Sequence, residues 1–290
     1  MSKTIQFKGT PLTLVGRRIT PGDGAPDFRV VSADLKEVAL SDFGSKIKVI
    51  TTFPSLDTPV CDLQVKEFNK KALEFSSGIV VLGISKDLPF AQKRFCSENE
   101  IKNVSVLSDY KYSSFGINYG LLIKEMNLLA RSVLIIDQNN IVRYTRIVDE
   151  LSAPPDYEDA LKNLKEVMNN PGLAKKEGLP AKCKPCEGGV QALPKEQIEK
   201  LLAQVRGWQL VEDQVKGARI VKEFKFSEFA QAKYFLDLVS VIVEEQGHHP
   251  VLTLINNKLK ITLTTHAANG LTENDFIMAG IIDDLGEQGN

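Results

Sequence analysis

The run Pro54-Ser55-Leu56-Asp57-Thr58-Pro59-Val60-Cys61 decides the fold of the first half of the chain. It joins a strand to a helix and leaves one cysteine in that helix's first turn. Before it, Lys48-Val49-Ile50-Thr51-Thr52-Phe53 is β-branched and apolar, the pattern of a buried strand. After it, Val65, Phe68, Ala72 and Phe75 recur at helical spacing. At a helix start the unpaired backbone N–H groups and the helix dipole favour an anion, and a thiolate, not a thiol, is the nucleophile. The competing reading of Cys61 is an inert core cysteine. Two flanking prolines and a polar helix start are not what such a cysteine needs.

Outward from this run, strands and helices alternate from Gly24 to Met168. Residues 28–31 and 38–40 read as a small hairpin, 79–84 and 104–107 as core strands. Pro89 opens a helix carrying Phe90, Arg94, Phe95 and Cys96. Segments 132–137 and 141–147 flank the turn Gln138-Asn139-Asn140, and 156–168 is an amphipathic helix. Such alternation predicts an α/β layer fold over residues 1–168.

Asn169-Asn170-Pro171-Gly172 breaks the pattern, and 169–193 reads as a linker rich in Lys, Gly and Pro that contains Cys183-Lys184-Pro185-Cys186. Residues 194–290 then change order: helix 195–205, strands 208–211 and 219–226, helix 227–245, strands 251–255 and 259–265, and a last helix from Thr272. With a turn at Asn256-Asn257, this predicts a smaller α+β domain, two hairpins forming a sheet with three helices.

Composition agrees with two globular domains. The chain has 290 residues, 43% hydrophobic and 25% charged, with a net charge of -1. That balance gives no reason to expect nucleic acid or an anionic membrane as partner, and no apolar run approaches the ~20 residues of a membrane span. Met1–Phe7 lacks the apolar core and cleavage site of a secretory signal. A cytoplasmic location is therefore expected, where the four cysteines would serve redox or metal work rather than act as staples.

A reactive cysteine needs a cation to hold its charge and, once oxidised, a second thiol to rescue it. Arg131 opens the apolar strand Ser132-Val133, a costly place for a guanidinium unless it is paired. A solvated strand end is the other reading. Cys96, taken alone, reads as a core residue as readily as a resolving thiol.

The three histidines all fall between residues 248 and 266. His248 and His249 end the long helix in Gly247-His248-His249-Pro250, where Pro250 forces the chain out. Glu244 lies four residues before His248, on the same helical face. Histidine suits acid–base chemistry near neutrality. Helix C-capping is an alternative, Asp275 can cap the last helix with Thr272, and three histidines can hold zinc. The adjacent pair diverges on helical geometry, so no metal is expected.

Pro54-x-x-x-Thr58-x-x-Cys61 matches the peroxiredoxin active-site motif. Leu88-Pro89-Phe90-Ala91-Gln92, Arg94-Phe95-Cys96 and Ala130-Arg131 resemble the bacterial thiol peroxidase subfamily, the atypical two-cysteine peroxiredoxins. The resemblance implies a thioredoxin-like fold, with Cys61 the peroxidatic and Cys96 the resolving cysteine. It implies that Thr58 and Arg131 orient and polarise the peroxide and that Pro54 shields the site. The disulfide would be reopened by an external dithiol, thioredoxin, after local unfolding around Cys96.

Glu244-x-x-x-His248-His249-Pro250, with His266 and Asp275, resembles the pterin-4a-carbinolamine dehydratases, as do Cys183-Lys184-Pro185-Cys186-Glu187-Gly188-Gly189 and Gly270-Leu271-Thr272-Glu273-Asn274-Asp275. That family dehydrates 4a-hydroxytetrahydropterin. The resemblance implies acid–base roles for His248, His249 and His266, Glu244 as partner of His248, and His249, Pro250 and Asp275 against the substrate. Leu252 and Asn256 stand where the family often has aromatics. No bound cofactor is expected, only the pterin as substrate, and a homo-oligomer is implied. The alternative is a peroxidase whose C-terminal domain is a non-catalytic assembly module.

Overall fold

The structure, a computed structural model, describes residues 3–170, 180, 182–184, 190–212 and 217–286. The chain divides into two compact units between residues 177 and 178.

In the N-terminal unit the strands are β1 (Lys3–Phe7), β2 (Thr10–Val15), β3 (Arg29–Ser32), β4 (Glu37–Ala39), β5 (Ile47–Thr52), β6 (Ile79–Ser85), β7 (Ser105–Ser108), β8 (Leu122–Ile123), β9 (Leu128–Leu129), β10 (Ser132–Ile136) and β11 (Val142–Ile147). The helices are α1 (Pro59–Lys71), α2 (Pro89–Glu98), α3 (Ser114–Asn118) and α4 (Tyr157–Asn169). Seven strands make the main sheet in the order β11-β10-β5-β6-β7-β3-β4, with β5, β6 and β7 parallel and β10 antiparallel to β5.

Every residue of β5 is buried, as a parallel strand covered on both faces requires. Its one cation, Lys48, donates to the Gly44 carbonyl and to Asn140 Oδ1, each at 2.7 Å, and burial lowers its pKa. One face of the sheet carries Phe53, Val65, Phe68, Ala160 and Leu164, the other Phe28, Leu82, Phe115 and Leu134. Burying side chains of this size contributes roughly 1.5–3 kcal/mol each.

Sequence patterning missed the four-stranded sheet β1-β2-β8-β9. Its first hairpin turns on Lys8 and Gly9, both at positive φ. The hairpin also reaches toward the end of the main sheet: Gln6 N–H donates to the Asp149 carbonyl at 2.6 Å, and Leu151 N–H donates to the Gln6 carbonyl at 2.8 Å.

The C-terminal unit contains α5 (Lys195–Leu202), β12 (Gln209–Val211), β13 (Arg219–Lys225), α6 (Phe229–Gln246), β14 (Val251–Ile255), β15 (Lys258–Leu263) and α7 (Glu273–Gly286). The sheet order is β12-β13-β15-β14, two antiparallel hairpins laid side by side as the sequence implied. Alternation along β15 buries Leu259, Ile261 and Leu263 and leaves Lys258 and Lys260 exposed. The buried face meets an apolar α7 whose residues Phe276 to Ala279 are all buried.

One expectation is corrected here. The long helix ends at Gln246, one residue beyond the 245 read from the sequence, so Gly247 rather than Pro250 closes it, and His248 and His249 lie outside it. Gly247, at φ 62°, takes the left-handed cap conformation and donates its N–H to the Val243 carbonyl. A second concerns the segment read as linker. Cys183 is buried, and its N–H donates to Gln246 Oε1 at 2.8 Å. Lys184 N–H donates to Asn274 Oδ1, whose amide donates back to the Lys184 carbonyl. These two residues are bound to α6 and α7. Cys186, the other half of the motif, lies outside the described residues.

Candidate functional sites

Two parts of the main sheet bring the first site together. Strand β5 ends at Thr52, and the chain leaves its carboxyl end through Phe53 and the buried Pro54 to enter α1 at Pro59. Crevices at the carboxyl ends of parallel strands are where α/β sheets expose their chemistry. Strand β10 runs the other way, and its register pairs Ser132 with Thr52. Arg131, the residue before Ser132, is therefore delivered to the end of β5 where Cys61 begins its helix. This is why an arginine can open an otherwise buried strand.

Cys61 is fully buried beneath the exposed Thr58. Thr58 is the N-cap residue of α1, and its hydroxyl lies 2.8 Å from the Cys61 sulfur and 3.1 Å from the Ser55 carbonyl. Arg131 Nη2 points at the same sulfur from 3.4 Å. Arg131 is only 2% exposed, yet its other N–H groups are engaged: Nε and Nη2 donate to the Leu151 carbonyl at 3.2 and 3.0 Å, and Nη1 donates to Gln64 Oε1. Leu151 is the residue that β1 holds through Gln6, so the unforeseen hairpin braces the loop on which the guanidinium rests. Two donors, one hydroxyl and one cationic, thus converge on one sulfur at a helix start. Such an arrangement stabilises negative charge on sulfur.

Gln64 is the residue that sequence reasoning passed over. It is fully buried, and its amide nitrogen donates to Thr51 Oγ1 and, at 3.2 Å, to the Thr52 carbonyl. Its position three residues after Cys61, on the buried helix face beside Val65 and Phe68, was the available signal.

Cys96 sits in the last turn of α2, half-buried, with its sulfur free and packed with Phe95 against the cluster that contains Cys61. Burial pushes its thiol above the ordinary value of 9.0.

The second site is built around a buried pair in the C-terminal unit. His248 Nε2 lies 2.8 Å from Asp275 Oδ1, with His248 5% and Asp275 0% exposed. The other carboxylate oxygen accepts from Thr265 Oγ1 at 2.9 Å and from Thr272 N–H at 2.8 Å. The capping role foreseen for Asp275 with Thr272 is present, at the start of α7. A carboxylate accepting from the ring fixes the proton on Nε2. Glu244, expected beside His248, pairs instead with His249 at 3.3 Å, and both are mostly exposed. The reason is Gly247: its left-handed φ ends helical spacing one residue before His248, turning that ring inward toward α7 and leaving His249 near Glu244. Asp275, expected against substrate, has no exposed surface and can act only through His248.

His266 lies in a short turn after β15 and lines a groove of about 1020 Å³ on the outer face of the sheet, with Arg219, Lys260, Thr262 and Thr264. Pro250 is half-buried at the entry to β14. Among the described residues no cluster of His, Cys, Asp and Glu could hold a metal ion, and no helix is long and apolar enough to cross a membrane.

Thiol peroxidases of Staphylococcus saprophyticus and Oceanobacillus iheyensis are 47% and 44% identical to this chain over 163 and 160 residues, covering 98% and 97% of those proteins and 56% and 55% of this one. The chain belongs to the thiol peroxidase family. Its residues 20–161 match the Redoxin family model. Residues 191–285 match the family model Pterin 4 alpha carbinolamine dehydratase, so the chain is a fusion of the two. A peroxiredoxin-like protein from Aquifex aeolicus superposes with a TM-score of 0.54 at 42% identity, covering 58% of this chain and 98% of that one. A thiol peroxidase from Chromobacterium violaceum, 23% identical over 58% of this chain and 99% of its own, shares the fold with a TM-score of 0.52. The thiol peroxidase domain is thus thioredoxin-like, as its motif implied.

Proposed function

We propose that the N-terminal domain reduces hydroperoxides through Cys61. The observation that carries this is the convergence of Thr58 and Arg131 on one buried sulfur. The Cys61 thiolate attacks the terminal peroxide oxygen, the O–O bond breaks, and water or an alcohol leaves once the departing oxygen is protonated. Cys61 is then a sulfenic acid. The Arg131 N–H groups and the Thr58 hydroxyl hold the developing charge along the S–O–O line, and the buried Pro54 keeps bulk water from the sulfur. Cys96, as thiolate, attacks the Cys61 sulfur, the S–O bond breaks, and the departing hydroxide takes up a solvent proton and leaves as water as the disulfide forms. A dithiol of the thioredoxin type then reduces it by exchange.

A mass spectrum after one equivalent of peroxide tests this reading directly. A single Cys61–Cys96 linkage supports it; oxidation confined to Cys183 and Cys186 removes it.

For the C-terminal domain we infer dehydration of 4a-hydroxytetrahydropterin, supported by the family match and by His248 held in one tautomer by Asp275. The groove lined by His266 takes the substrate and His266 supplies proton transfer in it, while His248 and His249, which are not among its lining residues, act from the turn that leads into β14 beside Val251. With the carbinolamine supplied, His248→Ala should abolish the acceleration of water loss. A second reading draws on β14, an edge strand with exposed Val251 and Ile255 that suits pairing with a second copy. Equal dehydration by wild type and His248→Ala, together with a dimeric mass in light scattering, would favour that assembly role.

A further inference from the structure

We propose that Asp87 is a positioning residue that locks the Cys61 loop and the Cys96 helix together, so that the two release as one unit during turnover. The proposal rests on the peroxidase reading above.

Three donors converge on the Asp87 carboxylate. Ser55 Oγ donates to Oδ1 at 2.6 Å, and Leu56 N–H and Ser85 Oγ donate to Oδ2 at 2.9 and 2.7 Å. Two of the three come from the loop that leads into Cys61. Ser55 is also the residue whose carbonyl accepts from Thr58 N–H at 3.2 Å. A path of hydrogen bonds therefore runs from the Asp87 carboxylate to the Ser55 hydroxyl, and from the Ser55 carbonyl through the Thr58 backbone to the hydroxyl on the Cys61 sulfur.

The opposite side of Asp87 is α2. Asp87 immediately precedes Leu88, the N-cap residue of that helix, and Cys96 lies two turns beyond Pro89. The Asp87 carbonyl accepts from Ser108 Oγ. Ser85 Oγ, which donates to Asp87, accepts from Gln92 Nε2 at 3.1 Å, and Gln92 also donates to the Leu107 carbonyl at 2.9 Å. The start of α2 is thereby pinned to β6 and β7 through the Asp87 carbonyl and Gln92, and the carboxylate that holds the Cys61 loop joins this network through Ser85.

The carboxylate gives all three contacts a charged acceptor. An amide with its oxygen at the Oδ2 position still accepts from Leu56 N–H and Ser85 Oγ, but it turns an NH2 toward Ser55, whose hydroxyl must then reverse and accept. Asp87→Asn therefore removes the charge from all three contacts and reverses the bond to Ser55 while keeping the side chain's shape.

The lock has opposite effects on the two chemical steps. Closed, it holds Thr58 on the sulfur for reaction with peroxide; open, it frees Cys61 and Cys96 to meet. Asp87→Asn should slow sulfenic acid formation and accelerate disulfide formation, each by about tenfold, the equivalent of one charge-assisted bond. Rapid quenching with acid, alkylation and mass spectrometry follow both steps separately on the full chain. Ser55→Ala, which removes one of the three donors, should shift both rates in the same senses by less. A purely structural loss would not split the two rates in opposite directions. Hydrogen exchange should rise in Asp87→Asn at residues 53–61 and 86–98 together. Equal rates and equal exchange in wild type and Asp87→Asn, with wild type forming the Cys61–Cys96 bond, would overturn the lock. Wild type that forms no such bond would overturn the peroxidase reading instead.

Discussion

Gln64 accepts a hydrogen bond from Arg131 Nη1, the guanidinium whose Nη2 faces the Cys61 sulfur, so a neutral amide one turn along α1 sets the aim of the cation. Neither side chain has appreciable contact with water, and both are held by backbone carbonyls of separate segments, Thr52 for Gln64 and Leu151 for Arg131. The consequence is a guanidinium with a fixed direction.

Gln64→Leu keeps the volume and removes the acceptor, leaving a buried N–H of Arg131 unpaired at a cost of about 1–3 kcal/mol. Sulfenic acid formation at Cys61 should slow by about tenfold as the guanidinium loses its aim, a change readable by competition against a reference peroxidase. An unchanged rate would mean that the two Leu151 contacts suffice.

Disulfide formation should depend on pH through Cys96. Burial raises its thiol above 9.0, so at neutral pH little of it is thiolate, and the rate of disulfide closure should climb between about pH 6 and about pH 9. The same shift has a sign for stability. A folded-state value above the unfolded one favours folding while the thiol stays neutral, and that contribution is lost as pH rises through the raised value. The end of α2 should therefore loosen in alkali, seen as faster exchange there in wild type than in Cys96→Ala. A closure rate that is flat across this range would exclude Cys96 as the attacking thiol.

Asp275→Asn should damage the C-terminal site without touching its surface. The amide can accept from either His248 or the Thr272 N–H, but not from both while Thr265 also donates. Water loss from the carbinolamine should slow by about 10–100-fold, the usual penalty for removing an orienting partner. Dehydration at the wild-type rate would show that the His248 tautomer is immaterial.

Gly247→Ala probes the turn that separates His248 from α6. A Cβ there meets no neighbour, so only the positive φ resists it, at about 1 kcal/mol. Denaturant unfolding followed by the fluorescence of Trp208 reports the C-terminal domain selectively, because it is the chain's one tryptophan. A stability equal to wild type would mean that the alanine relaxes the turn, and the His248–Asp275 distance should then change.

Much of the molecule was written locally. β5 was visible as a run of β-branched residues, α1 and α2 as helices opened by Pro59 and Pro89, and the β10–β11 turn as adjacent asparagines, with Asn140 at φ 56°. Each of these signals lies within a few residues of the element it defines. The family motifs placed Cys61, Thr58 and Arg131 in one site for the same reason: the residue types and spacings around them are rare by chance.

What the sequence by itself determined is the identity of the chemistry-bearing groups and the strands and helices that carry them, since propensity and periodicity act over a single turn or pleat. The tertiary structure alone decided which groups meet. The β1–β2 hairpin reaches Arg131 through Gln6 and Leu151, Asp87 joins a loop 31 residues away, and Asp275 takes His248 from Glu244 across 27 residues. Pairings of that span depend on burying polar groups together where each finds a partner. No pattern read along the chain encodes that condition, because it is met only once the sheets have packed.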